Sequence, residues 1–249
     1  MKIAVCISNV PDTTTRIKTD ATGQKIDLNG VQWVLNPWDE LALTRAIELK
    51  EQNTGLVSEV IAVMAASAAG EATLRKALAV GADRAVRIDT DPADSFEAAR
   101  ELAYYFEAHW ADIIFTGIES SDFNGLAVGP MLATLLKIHL IPGVSGVFLE
   151  NGQVLVQQEV DGMSIRLKTH QPVVMVVQKG IAIVPKIPAM RGIMTARTKP
   201  LEVLSPRKEA LQTEVTAFEP LPPKAAAKMI DAEDAPRLIE LLRNEAKVI

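Results

Sequence analysis

A polar segment between Gly117 and Val128 has the residue types and the position of a ligand-binding loop. It follows an apolar run, 111–117, that is typical of a buried strand, and it leads into apolar residues at helical spacing from Leu126 onward. Where a parallel strand leads into a helix, unpaired N–H groups and the helix dipole favour an anion such as a phosphate. The segment therefore predicts a phosphate-binding loop, and a connecting loop without a ligand is the alternative.

No other group of residues in the sequence forms a recognisable catalytic centre. Asp39 and Glu40 are adjacent carboxylates, but they lie in the first turn of a predicted helix, where capping and compensation of the helix dipole explain them at least as well as acid–base chemistry. Cys6, near the end of an apolar run, is expected to be a small buried residue. The three histidines are scattered rather than spaced as metal ligands. A binding or carrier role without catalytic residues is therefore favoured.

Composition narrows the class of protein further. The chain has 249 residues, of which 48% are hydrophobic and 23% charged, enough for a sizeable core. A net charge of −5 without a basic stripe argues against a nucleic-acid partner. The single cysteine favours a reducing, cytoplasmic compartment. Because no stretch approaches the roughly 20 apolar residues that a membrane span needs, no such span is expected.

Short apolar runs alternate with helical patterns through residue 137. Predicted strands lie at 3–7, 59–64, 84–88 and 112–116, and predicted helices lie between them at 37–51, 70–80 and 95–109. Asn36 is expected to cap the first of these helices, with Pro37 at the position that proline favours. The alternation predicts an α/β fold with a mostly parallel, doubly wound, Rossmann-like sheet covered by helices on both faces.

From Pro142 the pattern changes to strand-like runs separated by turn-length gaps. These runs lie at 144–149, 153–158, 163–167 and 173–177. The pairs Asn151-Gly152 and Asp161-Gly162 are strong hairpin-turn signals. The second half of the core is therefore expected to add antiparallel strands to the sheet.

The rest of the chain fits neither pattern. Residues 183–194 carry apolar side chains without a clear period, which suggests a contact surface. Beyond them come a short predicted strand at 201–204 and a final amphipathic helix from about Asp234 to Val248. We expect an α/β domain over 1–186 and, over 187–249, a recognition loop and an extended C-terminal arm that wraps a neighbouring subunit. The alternative is a tail that folds back onto its own domain.

Five segments carry a resemblance that no single motif would support. They are Cys6–Thr13, Leu35–Leu41, Ala79–Asp83, the loop from Gly117 through Asp122 to Met131, and Glu159–Gly162. In this order they resemble the beta subunit of the electron transfer flavoproteins, over residues 1 to about 205.

The resemblance implies an electron carrier rather than an enzyme. A heterodimer is expected in which an alpha subunit holds most of an FAD and this chain contributes one wall of the flavin cleft. Electrons would come from acyl-CoA or related dehydrogenases, as in fatty acid oxidation, and pass to a quinone oxidoreductase. The flavin-facing loop of this chain is expected to be Pro11, Asp12 and Thr13.

The resemblance also implies a buried AMP at the predicted phosphate loop. The matching positions come from strand ends, from the first helix and from the loop itself: Cys6, Asn36, Pro37, Trp38, Asp39, Ala65, Gly117, Asp122, Phe123, Asn124, Gly125, Ala127 and Val128.

The sequence departs from the family's usual pattern at this site. Phe123 and Ala127 interrupt the usual run of polar side chains, and Ser8 replaces a common lysine. Three alternatives therefore stay open. The site could hold a second FAD instead of AMP, or the chain could be a structural subunit with a degenerate pocket or a freestanding nucleotide-binding module.

The irregular segment around Met190 matches the recognition loop of the family. The resemblance assigns to Met190 the position of an apolar side chain that inserts into a pocket of the partner dehydrogenase, with Ile193 and Met194 beside it. A flexible, polarizable methionine suits a surface that fits several partners. The alternative is that these three side chains pack against the sheet of their own subunit.

Overall fold

The computed structural model describes residues 1–207, 209–219, 221–222, 224 and 226–249. Contacts within the chain divide it into two units. The larger comprises Met1–Ile17 with Asp27–Thr216, and the smaller comprises Lys18–Ile26 with Ala217–Ile249.

The larger unit begins with alternating strands and helices. In chain order these are β1 (Lys2–Cys6), β2 (Asn9–Pro11), β3 (Trp33–Leu35), α1 (Pro37–Gln52), β4 (Glu59–Ala65), α2 (Glu71–Val80), β5 (Arg84–Ile88), α3 (Ser95–Ala108), β6 (Ile113–Gly117) and α4 (Val128–Leu136). It continues with β7 (His139–Glu150), β8 (Gln153–Val160), β9 (Met163–Thr169), β10 (Val173–Val177), α5 (Met190–Ala196) and β11 (Leu201–Leu204).

Nine of the described strands form one sheet, in the order β11-β5-β4-β1-β6-β10-β7-β8-β9. All pairs from β11 to β7 are parallel, and β7-β8 and β8-β9 are antiparallel. The predicted α/β class with a mostly parallel sheet is thus confirmed. Parallel neighbours need a crossover connection, and helices provide those connections through β6.

The position of β10 corrects the sequence prediction. We expected the run at 173–177 to join the antiparallel additions, but it lies parallel between β6 and β7. The turn-length gap at 170–172 does not form a hairpin, because the chain returns to the start of β7 instead of pairing with β9. Strand β7 serves two partners in succession, β10 along 139–144 and β8 along 144–150.

The two hairpins at β7-β8 and β8-β9 agree with their turn signals. Asn151 and Gly152 have φ values of 50° and 74°, and Asp161 and Gly162 have φ values of 47° and 79°. Positive φ at both central residues is what the favoured two-residue hairpin turn requires.

Helices cover both faces of the sheet, as the doubly wound prediction requires. Alternate residues of a strand point to opposite faces. Ile3 and Val5 of β1 accordingly belong to the core that includes α1 and α2, whereas Ala4 and Cys6 belong to the core that includes α3 and α4. All four are buried.

The chain after α5 returns to its own sheet. Strand β11 lies at the 201–204 position predicted from sequence and pairs with β5. Beyond it, the Arg207 N–H donates to Glu101 Oε2 at 3.1 Å, and Arg100 of α3 donates to the carbonyls of Glu209 and Ala210 at 3.3 and 3.2 Å. As far as Ala210 the described chain thus contacts its own sheet and α3, and the wrapping of a neighbouring subunit stays a prediction for the residues beyond.

The smaller unit consists of two chain segments. Thr19 and Ile26 form an antiparallel bridge, and the Phe218 N–H donates to the carbonyl of Gly23 at 2.8 Å. Helix α6 runs over Ala235–Asn244, within the predicted range, and is capped by the Asp234 carboxylate. Its apolar residue Ile239 is half exposed. Among the residues described, no helix is both long and apolar enough to cross a membrane.

Candidate functional site

Helix α4 begins where the predicted loop ends. Ala127 occupies its N-cap position and offers no side chain to the first-turn N–H groups. A Cβ on Gly129 would lie 2.5 Å from Thr116 Oγ1 and 2.6 Å from a methyl group of Val176, so the absence of a side chain brings the helix close to β6 and β10. The uncapped, closely held helix start is a favourable place for an anion.

The tip of the loop is exposed. Asn124 and Leu126 have φ values of 49° and 52°, a conformation uncommon outside glycine. Phe123 is 62% exposed. A Cβ on Gly125 would lie 3.2 Å from Ser95 Oγ, so the tip lies beside the start of α3.

Asp39 joins the two strand ends that frame the site. Its Oδ1 accepts a hydrogen bond from the Gly117 N–H at 2.9 Å, and its Oδ2 accepts one from the Ser8 N–H at 2.8 Å. A Cβ on Gly117 would overlap the carboxylate, so glycine is required there. Because this side chain is buried and crosses from α1 to β1 and β6, compensation of the helix dipole is an incomplete explanation of it.

Burial controls the protonation of this junction. It raises the pKa of the Asp39 carboxyl from an ordinary value of 3.8 to about 6, although hydrogen bonds from Asn36, Ser8 and Gly117 oppose the rise. Burial, together with the nearby Asp39 charge, also raises the pKa of the Cys6 thiol. Cys6 is therefore a neutral buried thiol, as its strand position predicted, and not an activated nucleophile.

Asn36 does not cap α1 with its side chain, contrary to the sequence prediction. Its Nδ2 donates to the carbonyl of Glu119 at 2.8 Å, and its Oδ1 accepts from the Ser121 N–H at 3.3 Å. The amide is buried and spans from α1 to the loop after β6. The local cap signal at Asn36 and Pro37 located the helix start correctly, but a long-range partner takes the side chain.

The structure brings most of the predicted nucleotide-site residues to one edge of the sheet. Cys6, Ala65 and Gly117 end the neighbouring strands β1, β4 and β6, and the start of α1 lies against them. A Cβ on Gly117 would also lie 2.7 Å from Cβ of Trp38. The loop residues are less enclosed: Ala127 and Val128 are half-buried, and those from Asp122 to Gly125 are exposed.

The edge has features that an anionic nucleotide requires. Oγ1 of Thr116, a buried residue, and Oγ of Ser121 have no hydrogen-bond partner among the described residues. Both precede the uncapped start of α4. The loop already uses some of its own donors, since the Asn124 N–H donates to the carbonyl of Ser120 at 2.9 Å. The backbone therefore fits a phosphate, while the side chains of Leu126 and Ala127 add no polar group.

Sequence reasoning did not single out a buried arginine at the same end of the sheet. Arg87 Nη1 donates to the carbonyl of Ala66 at 3.0 Å and pairs with Asp89, and its Nε has no partner among the described residues. The available signal was a charged residue inside the otherwise apolar end of β5. The charge of Arg87 is already paired with Asp89, and its partner in register is Met64 and not Ala65, so Arg87 does not replace the cation that Ser8 fails to supply.

The predicted flavin-facing loop begins at Pro11, the last residue of β2, in the connection from β2 to β3. The Asp12 N–H donates to the carbonyl of Gln32 at 2.7 Å, and Asp12 Oδ1 accepts from the Thr14 N–H at 2.9 Å. Hydrogen bonds from Thr14 lower the pKa of this carboxyl. Pro11 and Asp12 are half-buried and Thr13 is exposed, so the loop has a fixed backbone and an outward side chain.

Helix α5 presents its predicted contact residues outward. Met190 is 74% exposed, Met194 is 69% exposed and Ile193 is 45% exposed. The alternative that Met190 and Met194 pack against their own sheet is therefore wrong. The opposite side of α5 lies on α2, where Ala196 is buried and a Cβ on Gly192 would overlap the carbonyl oxygen of Ala79.

Comparisons with known proteins identify the family of the chain. A sequence model described as "Electron transfer flavoprotein domain" matches residues 25–209. The chain belongs to the electron transfer flavoprotein family.

The relatives that it resembles carry the name of one subunit of these flavoproteins. The chain is 34% identical to electron transfer flavoprotein subunit beta of Bacillus subtilis (strain 168), with both chains covered completely. It is 31% identical to that of Syntrophomonas wolfei, over 100% of this chain and 98% of the relative. It is 32% identical to that of Homo sapiens, over 83% and 82%. The resemblance identified from the sequence is thus confirmed, and with it an electron-transport role in a flavoprotein.

Proposed function

We propose that this chain is the beta subunit of an FAD-containing heterodimer that carries electrons. The observation that carries the proposal is the full-length similarity to relatives named subunit beta. Such a name implies an alpha partner, which in this proposal holds most of the FAD. A freestanding nucleotide-binding module is disfavoured, because the similarity continues through the C-terminal region that such a module would not need.

In this proposal the chain helps to position the FAD and supplies no reacting group of its own. Bound FAD would supply the redox step. The residues of this chain proposed to face it are Pro11, Asp12 and Thr13. Pro11 pairs with Trp33 in the β2-β3 ladder, and the Asp12 N–H donates to the carbonyl of Gln32. No proton donor is required of them, so the chain is proposed to have no catalytic residue of its own. A cytoplasmic location belongs to the same proposal.

The loop before α4 is proposed to hold the phosphate of AMP. Support comes from the uncapped start of α4 and from the hydroxyls of Thr116 and Ser121, which find no hydrogen-bond partner within the described part of the chain. A specific observation favours a second candidate, a carrier whose pocket is empty, because Phe123 is exposed and Ala127 and Leu126 offer no polar group to a ligand. The two candidates differ in nucleotide content and not in fold.

The exposed face of α5 is proposed to bind the electron donor. Met190 would insert into a pocket of an acyl-CoA or related dehydrogenase, with Ile193 and Met194 beside it, and the electrons would pass on to a quinone oxidoreductase. The arm beyond Thr216 is proposed to wrap the alpha subunit, which would cover the half-exposed apolar residues of α6. Exposed apolar groups of this kind are typical of surfaces that are covered in an assembly.

The ligand content of the purified heterodimer tests this proposal. The complex with its alpha subunit is denatured, and the released flavin and AMP are counted by absorbance and mass spectrometry. One FAD and one AMP per heterodimer would support the full proposal. One FAD without AMP would favour the empty pocket, two FAD would indicate a second flavin at the loop, and a complex without flavin would overturn the carrier function.

A further inference from the structure

A pocket with positive charge lies between α2 and α5. Its volume is about 610 Å³, and its lining consists of Arg75, Lys76, Ala79, Pro188, Ile193, Ala196 and Arg197. A cavity of this size accommodates a side chain or a small ligand. The small residues Ala79 and Ala196 leave room, and Pro188 and Ile193 give it an apolar wall.

The lining carries charge opposite to that of the whole chain. Three of its residues are cations and none is acidic, whereas the full sequence has a net charge of −5. A local patch of one sign attracts partners of the other sign and raises association rates. The occupant that fits is therefore a carboxylate carried beside an apolar group.

The three cationic side chains differ in whether they already have hydrogen-bond or ion-pair partners within the chain. Arg75 Nη1 donates to the carbonyls of Ala196 and Lys199 at 2.9 and 3.0 Å, which ties the end of α5 to α2, and its Nη2 lies 3.7 Å from Glu71 Oε1. Lys76 Nζ lies 2.8 Å from Glu40 Oε1. Arg197 is exposed and makes no ion pair with any residue that the structure describes.

Close contacts hold the backbone around the pocket in place. Gly192 lets the backbone of α5 approach Ala79, and Lys199 Nζ donates to the carbonyls of Leu78 and Ala82 at 3.0 and 2.6 Å, at the end of α2. A carboxylate that enters would therefore meet Arg197, which follows a helix whose backbone is held against α2.

We propose that this pocket receives an acidic side chain of the electron-donating dehydrogenase, with Arg197 pairing the carboxylate while Met190 inserts nearby. The inference rests on the proposed carrier function and adds to it a second, electrostatic contact. Ile193 connects the two contacts, since it belongs to the exposed face of α5 and also lines the pocket. The wall and the cation together would select a partner segment in which an acidic residue adjoins an apolar one.

Charge changes at Arg197 test the proposal in the flavin-loaded heterodimer. Reduction of the flavin by an acyl-CoA dehydrogenase and its substrate is followed at low and at moderate ionic strength. Arg197→Glu should lower kcat/KM for the dehydrogenase about tenfold at low salt, because a like-charge pair replaces an attractive one. It should also reduce the dependence of the rate on salt, whereas Arg197→Lys should stay within about threefold of the parent because it keeps the charge.

Arg191→Glu is the matched control, since Arg191 is an exposed arginine of α5 outside the pocket lining. Long-range steering alone would make Arg191→Glu and Arg197→Glu equally slow, and that result would overturn the pocket proposal. A loss of alpha-subunit assembly in Arg197→Glu would also overturn it, because the occupant would then be the alpha subunit.

Reduction of the flavin by dithionite distinguishes failure of the pocket proposal from failure of the carrier function. If dithionite reduces the flavin and a Met190 variant slows the dehydrogenase while Arg197→Glu does not, the carrier function stands and the pocket proposal fails. If dithionite reduces the flavin but the dehydrogenase reduces no variant and not the parent, the proposed partner class fails together with the pocket. A heterodimer without flavin contradicts the carrier function itself.

Discussion

The junction around Asp39 and the face of α5 use their residues in opposite ways. At the junction, one buried carboxylate receives N–H groups from the ends of two strands, and the Asn36 amide reaches across to the loop after β6. On α5, apolar side chains that could form a core are exposed instead. The comparison indicates that the polar groups of the junction find their partners within the chain, and that the apolar face of α5 is available to another protein. Changes at the first should therefore alter stability, and changes at the second should alter docking.

The largest effect is expected from Asp39→Ala. Removing the carboxylate leaves the buried N–H groups of Ser8 and Gly117 without an acceptor and also creates a small cavity, so the free energy of unfolding should fall by about 4 kcal/mol. Urea denaturation followed by circular dichroism measures the loss. As a control, Asp122→Ala at the exposed loop tip should change stability by less than about 0.5 kcal/mol. Equal effects of the two changes would contradict the role assigned to Asp39.

The pH dependence of stability sharpens the same assignment. The pKa of Asp39 is about 6 in the folded chain and has an ordinary value of 3.8 when the chain is unfolded, so the folded state holds the proton more tightly. Asp39 therefore lowers stability as the pH rises from about 4 to 6, by an amount of about 3 kcal/mol. Other carboxyl groups titrate in this window, so the quantity to measure is the difference between the parent and Asp39→Asn. A difference that stays constant from pH 4 to 7 would refute the raised pKa.

Gly192→Ala tests the packing of α5 against α2, on the side of the helix opposite to the exposed face. The added Cβ overlaps the carbonyl oxygen of Ala79, so α5 must move away from α2 at a cost of about 2 kcal/mol. Thermal unfolding and urea denaturation measure this loss. Met194→Ala, two residues away on the exposed face, is the control and should leave the unfolding midpoint almost unchanged. If Gly192→Ala is equally silent, the close approach of the two helices is not present in solution.

The smallest effect on stability is expected from Met190→Glu. The same change should clearly slow reduction of the flavin by the dehydrogenase. Because Met190 is exposed, its replacement should alter the free energy of unfolding by less than about 0.5 kcal/mol. Loss of the apolar anchor should slow flavin reduction by the dehydrogenase about tenfold, while the flavin content stays constant. Met190→Leu, which keeps an apolar side chain, should retain most of the rate. An unchanged rate in Met190→Glu would contradict the proposal that Met190 inserts into the dehydrogenase.

The sequence predicted the elements well where local pattern determines them. The boundaries of α1, β5 and β10 follow from apolar periodicity and from breakers such as Pro37, and the two hairpin turns follow from Asn-Gly and Asp-Gly pairs. Local pattern does not report strand direction when a gap is short, and for this reason β10 was assigned to the wrong part of the sheet.

The grouping of the candidate site residues at one edge was predicted better than their hydrogen bonds. Strand ends in a parallel sheet meet at one edge, so Cys6, Ala65 and Gly117 could be grouped before any coordinates. The bridges made by Asn36 and Asp39 join residues 31 to 85 positions apart, and no local preference encodes them. Both side chains have a sufficient local explanation as helix-start residues, and that explanation concealed the long-range one.

The connection from β10 to β11 has a mechanical consequence. Its two ends are strands of one sheet separated by β6, β1, β4 and β5, a span of about 24 Å at the usual strand spacing. Between them the segment is fastened at α1, where the Lys186 N–H donates to Thr44 Oγ1 at 2.9 Å, and again at α2 through α5. The proposed docking residues therefore lie on a segment that is attached at both ends and not on a free tail. A partner bound at Met190 would therefore act on a segment joined to both β10 and β11, so the proposed docking face and the proposed nucleotide-binding edge belong to one sheet.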